Sequence, residues 1–173
     1  MPGVRIKSFT TSYPGLTTVL FNEVLVSEAF TPPAEIVNPQ EYKAKKYKAI
    51  WDTGATGTVI TQKVIDDCDL KPIGVVNVKT TKGLFKTNSY LVNVWLPNRV
   101  IVDNVQGCLG EIGDADVLIG MNIISQGDFA ITNKDGKTVF SFRLPSVEHI
   151  DFVEKPFKPK PAKTIPSRKR FRH

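Results

Sequence analysis

The sequence predicts a mainly β domain carrying one or two short helices. Three observations lead there. Alternating or β-branched apolar runs recur along the chain, Gly, Pro and Asp-Gly signals separate them, and helical spacing is confined to two short stretches. At 173 residues the chain is long enough to bury a self-sufficient core as one domain. No repeat is evident at the periods of solenoids or propellers.

Taken in order, residues 4–13 mix Val, Ile, Phe and Tyr with Ser and Thr, and 16–26 is rich in β-branched and apolar residues; Pro14-Gly15 divides these two strands. Prolines at 32, 33 and 39 make 31–41 a loop. Residues 42–51 begin as alternating Lys and apolar positions, which suits a strand with one wet face, and the strand ends abruptly at Asp52-Thr53-Gly54. Between 59 and 70, Val64, Ile65 and Cys68 fall at helical spacing with acids between them, which predicts a short helix.

Residues 75–79 and 89–96 alternate as two strands, and the polar stretch 80–88 between them, with Gly83, predicts a long hairpin with a flexible tip. A further strand is expected over 98–105. Asp116-Val117-Leu118-Ile119-Gly120 is a short apolar run stopped by glycine, as a buried strand would be, and 121–126 allows one or two helical turns. Segments 129–132 and 137–144 flank Asn133-Lys134-Asp135-Gly136, whose Asp-Gly pair signals a hairpin turn.

The net charge of +6 is unevenly placed. Residues 155–173 hold eight Lys or Arg, interleaved with prolines, and no acid, so that 1–154 carry 15 basic and 17 acidic side chains. The expected division is 1–46 as N-terminal strands and a loop, 47–145 as the core, and 146–173 as a basic, solvated tail. Charge alone would allow the tail at 155–173 a weak contact with nucleic acid or an acidic partner. Cys68 and Cys108 could form one bridge at most, and neither has a metal-ligand neighbour; both read as buried or incidental thiols in a reducing compartment. Asn22 and Glu23 interrupt the most apolar N-terminal stretch, so no signal peptide is expected. No segment is long enough to span a bilayer, and a cytoplasmic, soluble protein follows as the expectation.

Asp52-Thr53-Gly54 could be an ordinary Asx-type turn, and such a tripeptide arises by chance in roughly one chain of this length in ten or twenty. Its context adds weight: an Ala49-Ile50-Trp51 run precedes it, Ala55-Thr56 continues it, and a second apolar-apolar-Gly element follows at Leu118-Ile119-Gly120. With the Gly83 hairpin between 78 and 90, and with Val117 to Ile124 downstream, this order and spacing resembles the retropepsin-like aspartic proteases, the single-domain class that includes retroviral and bacterial members.

The resemblance implies a closed β-barrel of the acid-protease half type, active as a symmetric homodimer. Metal-free, cofactor-free amide hydrolysis needs one group to deprotonate water and another to protonate the carbonyl oxygen. Two carboxyl groups sharing a proton supply both, as is known for aspartic-protease dyads as a class. This chain has one such tripeptide, so Asp52 from each of two copies would have to meet on the two-fold axis. By the same resemblance, Thr53 reaches across the axis to the partner's backbone, Gly54 gives the polypeptide substrate close access, and Ala55 and Thr56 line the cleft. Lys82, Gly83 and Leu84 would form a flap, and Leu118, Ile119 and Gly120 would pack beneath the loop.

The pattern also departs from the retroviral one. Thr56 and Gly57 stand where retroviral enzymes carry acids, Met121 replaces an arginine, and the chain continues past Thr132. His149 and His173 have no adjacent nucleophile, Asp66, Asp67 and Asp69 lack calcium-loop spacing, and Asp114 and Asp116 lack a following Thr-Gly. Two other readings stay open: a catalytically silent module that binds peptides in its groove, and a latent precursor that needs trimming.

Overall fold

The computed structural model describes residues 6–33, 38–80 and 83–153. The predicted flap residue Lys82 and residues 154–173 of the predicted tail at 146–173, including the whole basic stretch 155–173, lie outside them. Among the described residues there are ten strands, two short α-helices and three 3-10 turns. The strands are β1 (Lys7–Ser12), β2 (Phe21–Glu28), β3 (Lys45–Trp51), β4 (Thr58–Ile60), β5 (Gly74–Thr80), β6 (Gly83–Leu96), β7 (Val100–Leu109), β8 (Val117–Ile119), β9 (Asp128–Thr132) and β10 (Val139–Leu144). The helices are α1 (Gln62–Asp67) and α2 (Met121–Ile124).

Seven strands form one sheet in the order β2-β3-β8-β4-β7-β6-β5, and β2 also pairs with β6. That extra pairing closes six of them into a barrel, with β5 outside the closure. The closure follows from period-two patterning. Val24 and Val26 of β2, Tyr47, Ala49 and Trp51 of β3, and Val92 and Val94 of β6 are buried, while Glu23, Lys46 and Lys48 face water. The first half of β6 is exposed and the second half buried, so one continuous strand leaves the barrel as a hairpin arm and returns as a stave.

β1, β10 and β9 form a separate three-stranded sheet. Its registers, Phe9↔Phe142 and Phe142↔Phe129, put three aromatics on one face, with Phe140 two residues along. That face closes over Trp51: the Trp51 ring lies 5.0 Å from Phe140, 5.2 Å from Phe142 and 5.9 Å from Phe129. The indole Nε1–H of Trp51 donates to Asn22 Oδ1 at 2.9 Å, and Asn22 Nδ2 donates to Thr11 Oγ1 at 2.7 Å, joining barrel and small sheet by a satisfied polar chain.

The expected long hairpin is present, and its strands run further than expected: pairing runs from Gly74↔Ser89 to Thr80↔Gly83, so that residues 83–88, expected between the strands, belong to β6. The polar residues there read as loop because both faces of the arm meet solvent, and backbone pairing, not burial, holds them as strand. β7 also runs to Leu109, beyond the expected end at 105. Its last residues pair in parallel with β4 (Thr58↔Gly107, Ile60↔Leu109), a non-local contact without local signature. Asp135 and Gly136 both take positive φ (54° and 70°), as the Asp-Gly turn signal implies. No helix among the described residues is long and apolar enough to cross a membrane.

Candidate active site

Asp52 is the first residue after β3, whose last residue pairs with Ile119 of β8. β8 lies between β3 and β4, parallel to the first and antiparallel to the second, so the chain leaving β3 must loop over the end of β8 to reach β4. That loop is 52–57. The Asp52 N–H donates to the Ile119 carbonyl at 3.0 Å, and the Ala55 N–H to the Asp52 carbonyl at 3.3 Å. The Gly54 N–H donates to Asp52 Oδ1 at 2.8 Å, so the carboxylate does make the Asx-type turn that the tripeptide allowed. Asp52 is half-buried, Ala55 likewise, and Thr53, Gly54 and Thr56 are exposed.

The far side of the loop is gripped by the start of α2. The Met121 N–H donates to the Ala55 carbonyl at 2.8 Å and the Asn122 N–H to the Thr56 carbonyl at 3.1 Å. Backbone amides at the start of a helix lack intrahelical partners, and here the loop's carbonyls accept from them. Gly120 allows this approach. A Cβ there would stand 2.3 Å from the Gly57 carbonyl oxygen and 2.9 Å from that of Ala55. Ile119 is fully buried and Leu118 half-buried beneath the loop. The structure thus brings 52–56 and 118–120 into direct hydrogen-bonded contact.

Sequence reasoning missed two polar residues in this support. Thr58, buried, donates its hydroxyl to Asn122 Oδ1 at 2.9 Å, and Asn122 Nδ2 donates to the Gln106 carbonyl at 3.0 Å. Together they link loop, helix and β7. The available signal was an Asn two residues after Gly120, a residue type poorly suited to a helix interior unless its amide has partners.

Gly83 and Leu84 open β6 on the exposed arm; Gly83 has φ +124°, outside the range that L side chains favour, and Leu84 is 69% exposed. The arm is tied to the barrel at its base, where Thr87 Oγ1 donates to the Leu109 carbonyl at 2.9 Å. Of the acids given no catalytic part, Asp116 accepts from the Lys48 N–H at 3.1 Å and from Lys63 Nζ at 2.9 Å, a structural tie between β3 and α1. Asp69 pairs with Lys71 on the surface. The two cysteines are free and half-buried, and burial pushes both thiols up from their ordinary pKa, consistent with incidental thiols.

The barrel thus presents one carboxylate on a loop clamped by an apolar-apolar-Gly strand end. Residues 41–126 match the family model described as "gag-polyprotein putative aspartyl protease". Among solved structures, a retropepsin-like aspartic protease from Rickettsia conorii superposes over 83% of this chain and 99% of its own, with a TM-score of 0.51 at 12% identity. EIAV protease, solved with the inhibitor HBY-793, matches over 65% of this chain and 90% of its own (TM-score 0.45, 15% identity). Simian foamy virus protease matches over 60% and 92% (TM-score 0.40, 19% identity). No curated protein matches the sequence. The segment 41–126 is thus similar to the gag-type aspartyl proteases, and the chain has the fold of the retropepsin-like aspartic proteases.

Proposed function

We propose that two copies of this chain form an aspartic endopeptidase in which the two Asp52 carboxyl groups share a proton across a two-fold axis. The ionised carboxylate takes a proton from water as its oxygen attacks the scissile carbonyl, and the protonated one gives its proton to the carbonyl oxygen. Collapse of the tetrahedral intermediate then breaks the C–N bond as the amine is protonated. The observation that carries the reading is the double clamp on 52–57, by Ile119 on one side and the α2 amides on the other. A group that must meet its twin needs a loop that does not wander.

The other roles follow as parts of this reading. Thr53, exposed at the loop's apex, reaches the partner's backbone. Gly54 leaves room for substrate; a Cβ there would stand 3.2 Å from Asp52 Oδ1 and crowd the carboxylate. Ala55 and Thr56 line the cleft wall. The arm with Lys82, Gly83 and Leu84 closes as a flap over an extended polypeptide bound as an added strand. Residues 47–145 carry this machinery, with β2 completing the barrel.

The test is cleavage of an unfolded polypeptide at mildly acidic pH by the purified full chain and by Asp52→Asn. The variant should keep the circular dichroism spectrum and lose hydrolysis. Undiminished cleavage by Asp52→Asn overturns the reading. Peptide binding without hydrolysis at any pH would instead make the chain a silent module. Hydrolysis that begins only after part of the N-terminal 40 residues or the tail is trimmed would make it a precursor.

A further inference from the structure

The outer wall of the barrel carries a cavity remote from Asp52. Period two turns Val24, Val26 and Val94 into the barrel and leaves Leu25 and Trp95, cross-strand partners on β2 and β6, on its outer face. There the Phe30 ring lies 5.7 Å from that of Trp95 and stacks on Tyr42 at 3.7 Å, which brings the 3-10 turn Pro39–Tyr42 over this face. The cover is incomplete. Between Pro39, Leu25, Trp95 and the β6–β7 connection at Leu96 and Pro97 there remains a mainly apolar cavity of about 250 Å³.

The polar groups around it are not balanced. Glu23 and Lys46, which line it, neutralise each other at 3.2 Å. Arg99 lines it too, is exposed, and has no carboxylate partner among the described residues. The indole Nε1–H of Trp95 is buried and likewise meets no acceptor there, an arrangement that costs free energy. Asn98 and Arg99 both take left-handed backbone, with φ 58° and 57°, which successive residues with side chains hold only when tied down. The ties are Asn98 Nδ2 to the Ser8 carbonyl at 2.7 Å and Lys7 Nζ to the Arg99 carbonyl at 2.8 Å. They fix the backbone of Arg99 at the edge of the cavity and leave its charge unclaimed.

We propose that this cavity binds a small apolar carboxylic acid, its hydrocarbon body against Leu25, Trp95 and Pro97 and its carboxylate on the Arg99 guanidinium. Arginine offers a carboxylate two parallel donors on one plane as well as a charge. The volume falls below the roughly 300–1,000 Å³ of drug-sized sites, so the acid is small. Lys46 stands opposite Leu25 and six residues before Asp52 along β3, about 20 Å at strand rise, so binding here is separate from hydrolysis.

The chain has two tryptophans, so a proton–nitrogen NMR spectrum of the full chain holds two indole N–H peaks, and Trp95→Phe or Trp51→Phe tells them apart. Titration with 3-phenylpropionate should shift the Trp95 peak saturably, with a Kd of about 1 mM, the strength expected of so small a ligand. The Trp51 peak, held on Asn22, should stay in place. Arg99→Gln should weaken binding about fivefold or more, while Lys134→Gln, at a surface cation elsewhere, should not. The uncharged 3-phenylpropanamide, with the same body, should bind more weakly by a similar factor. No saturable shift, parallel movement of both indole peaks, indifference to Arg99→Gln, or equal binding of acid and amide overturns the proposal. Tighter binding of a peptide ending in phenylalanine overturns it as well, because the occupant is then a chain end.

Discussion

Loop 52–57 and the arm formed by β5 and β6 each depend on a glycine, and they are built in opposite ways. The loop is held from below by the Ile119 carbonyl and from the side by two α2 amides, with Gly120 pressed against its backbone. The arm is exposed over Gly83 to Lys86 and is tied at its base through Thr87. On the proposed reading the contrast separates two demands: a reacting group must be fixed, while a segment that admits a substrate must be free to open at low cost. Glycine serves each differently. At 120 it permits close approach of backbone to backbone; at 83 it permits a left-handed turn.

Substitutions can break this contrast. The largest effect is expected beneath the loop: Trp51→Ala empties the space among Phe9, Phe129, Phe140 and Phe142 and orphans the Asn22 amide, costing about 3–5 kcal/mol in urea unfolding. Gly120→Ala follows, at about 3 kcal/mol, since the methyl meets carbonyl groups that cannot rotate aside. Gly83→Ala should cost about 1 kcal/mol, from backbone conformation alone, because nothing stands within 4 Å of a Cβ there. Leu84→Ser, on the exposed arm, should shift stability by less than about 0.5 kcal/mol while raising KM for a peptide substrate. Equal stability losses at 120 and 84 would erase the distinction.

A pH dependence sharpens it from the β9 side. The Ser146 hydroxyl, the Val147 N–H and the Arg143 guanidinium hold the Asp128 carboxyl down to about 2, below its unfolded value near 4. A depressed acid stabilises above its unfolded pKa, so this contribution is full above about pH 4 and is lost as pH falls toward 2. Thermal unfolding of Asp128→Asn should show a smaller loss of stability over that window than the unaltered chain.

Much of this molecule was legible in sequence wherever the signal was local. Period-two burial placed β3 and the stave half of β6, Asp135-Gly136 placed a turn, and the Asp-Thr-Gly and Leu-Ile-Gly elements marked the two segments that meet at the site. These are choices a few adjacent residues make through backbone preference and hydrophobic alternation. What escaped was set by partners distant in the chain. Residues 83–88 read as loop because strand pairing, with almost no burial, orders them. The Thr58–Asn122–Gln106 chain joins residues whose partners lie 16 and 64 positions apart. By itself the sequence determined which residue carries the carboxylate and which glycines flank it. The tertiary structure alone decided that β8 threads between β3 and β4, which forces the loop over its end. Burial patterns are written residue by residue, but the order of strands in a sheet depends on which distant edges find one another.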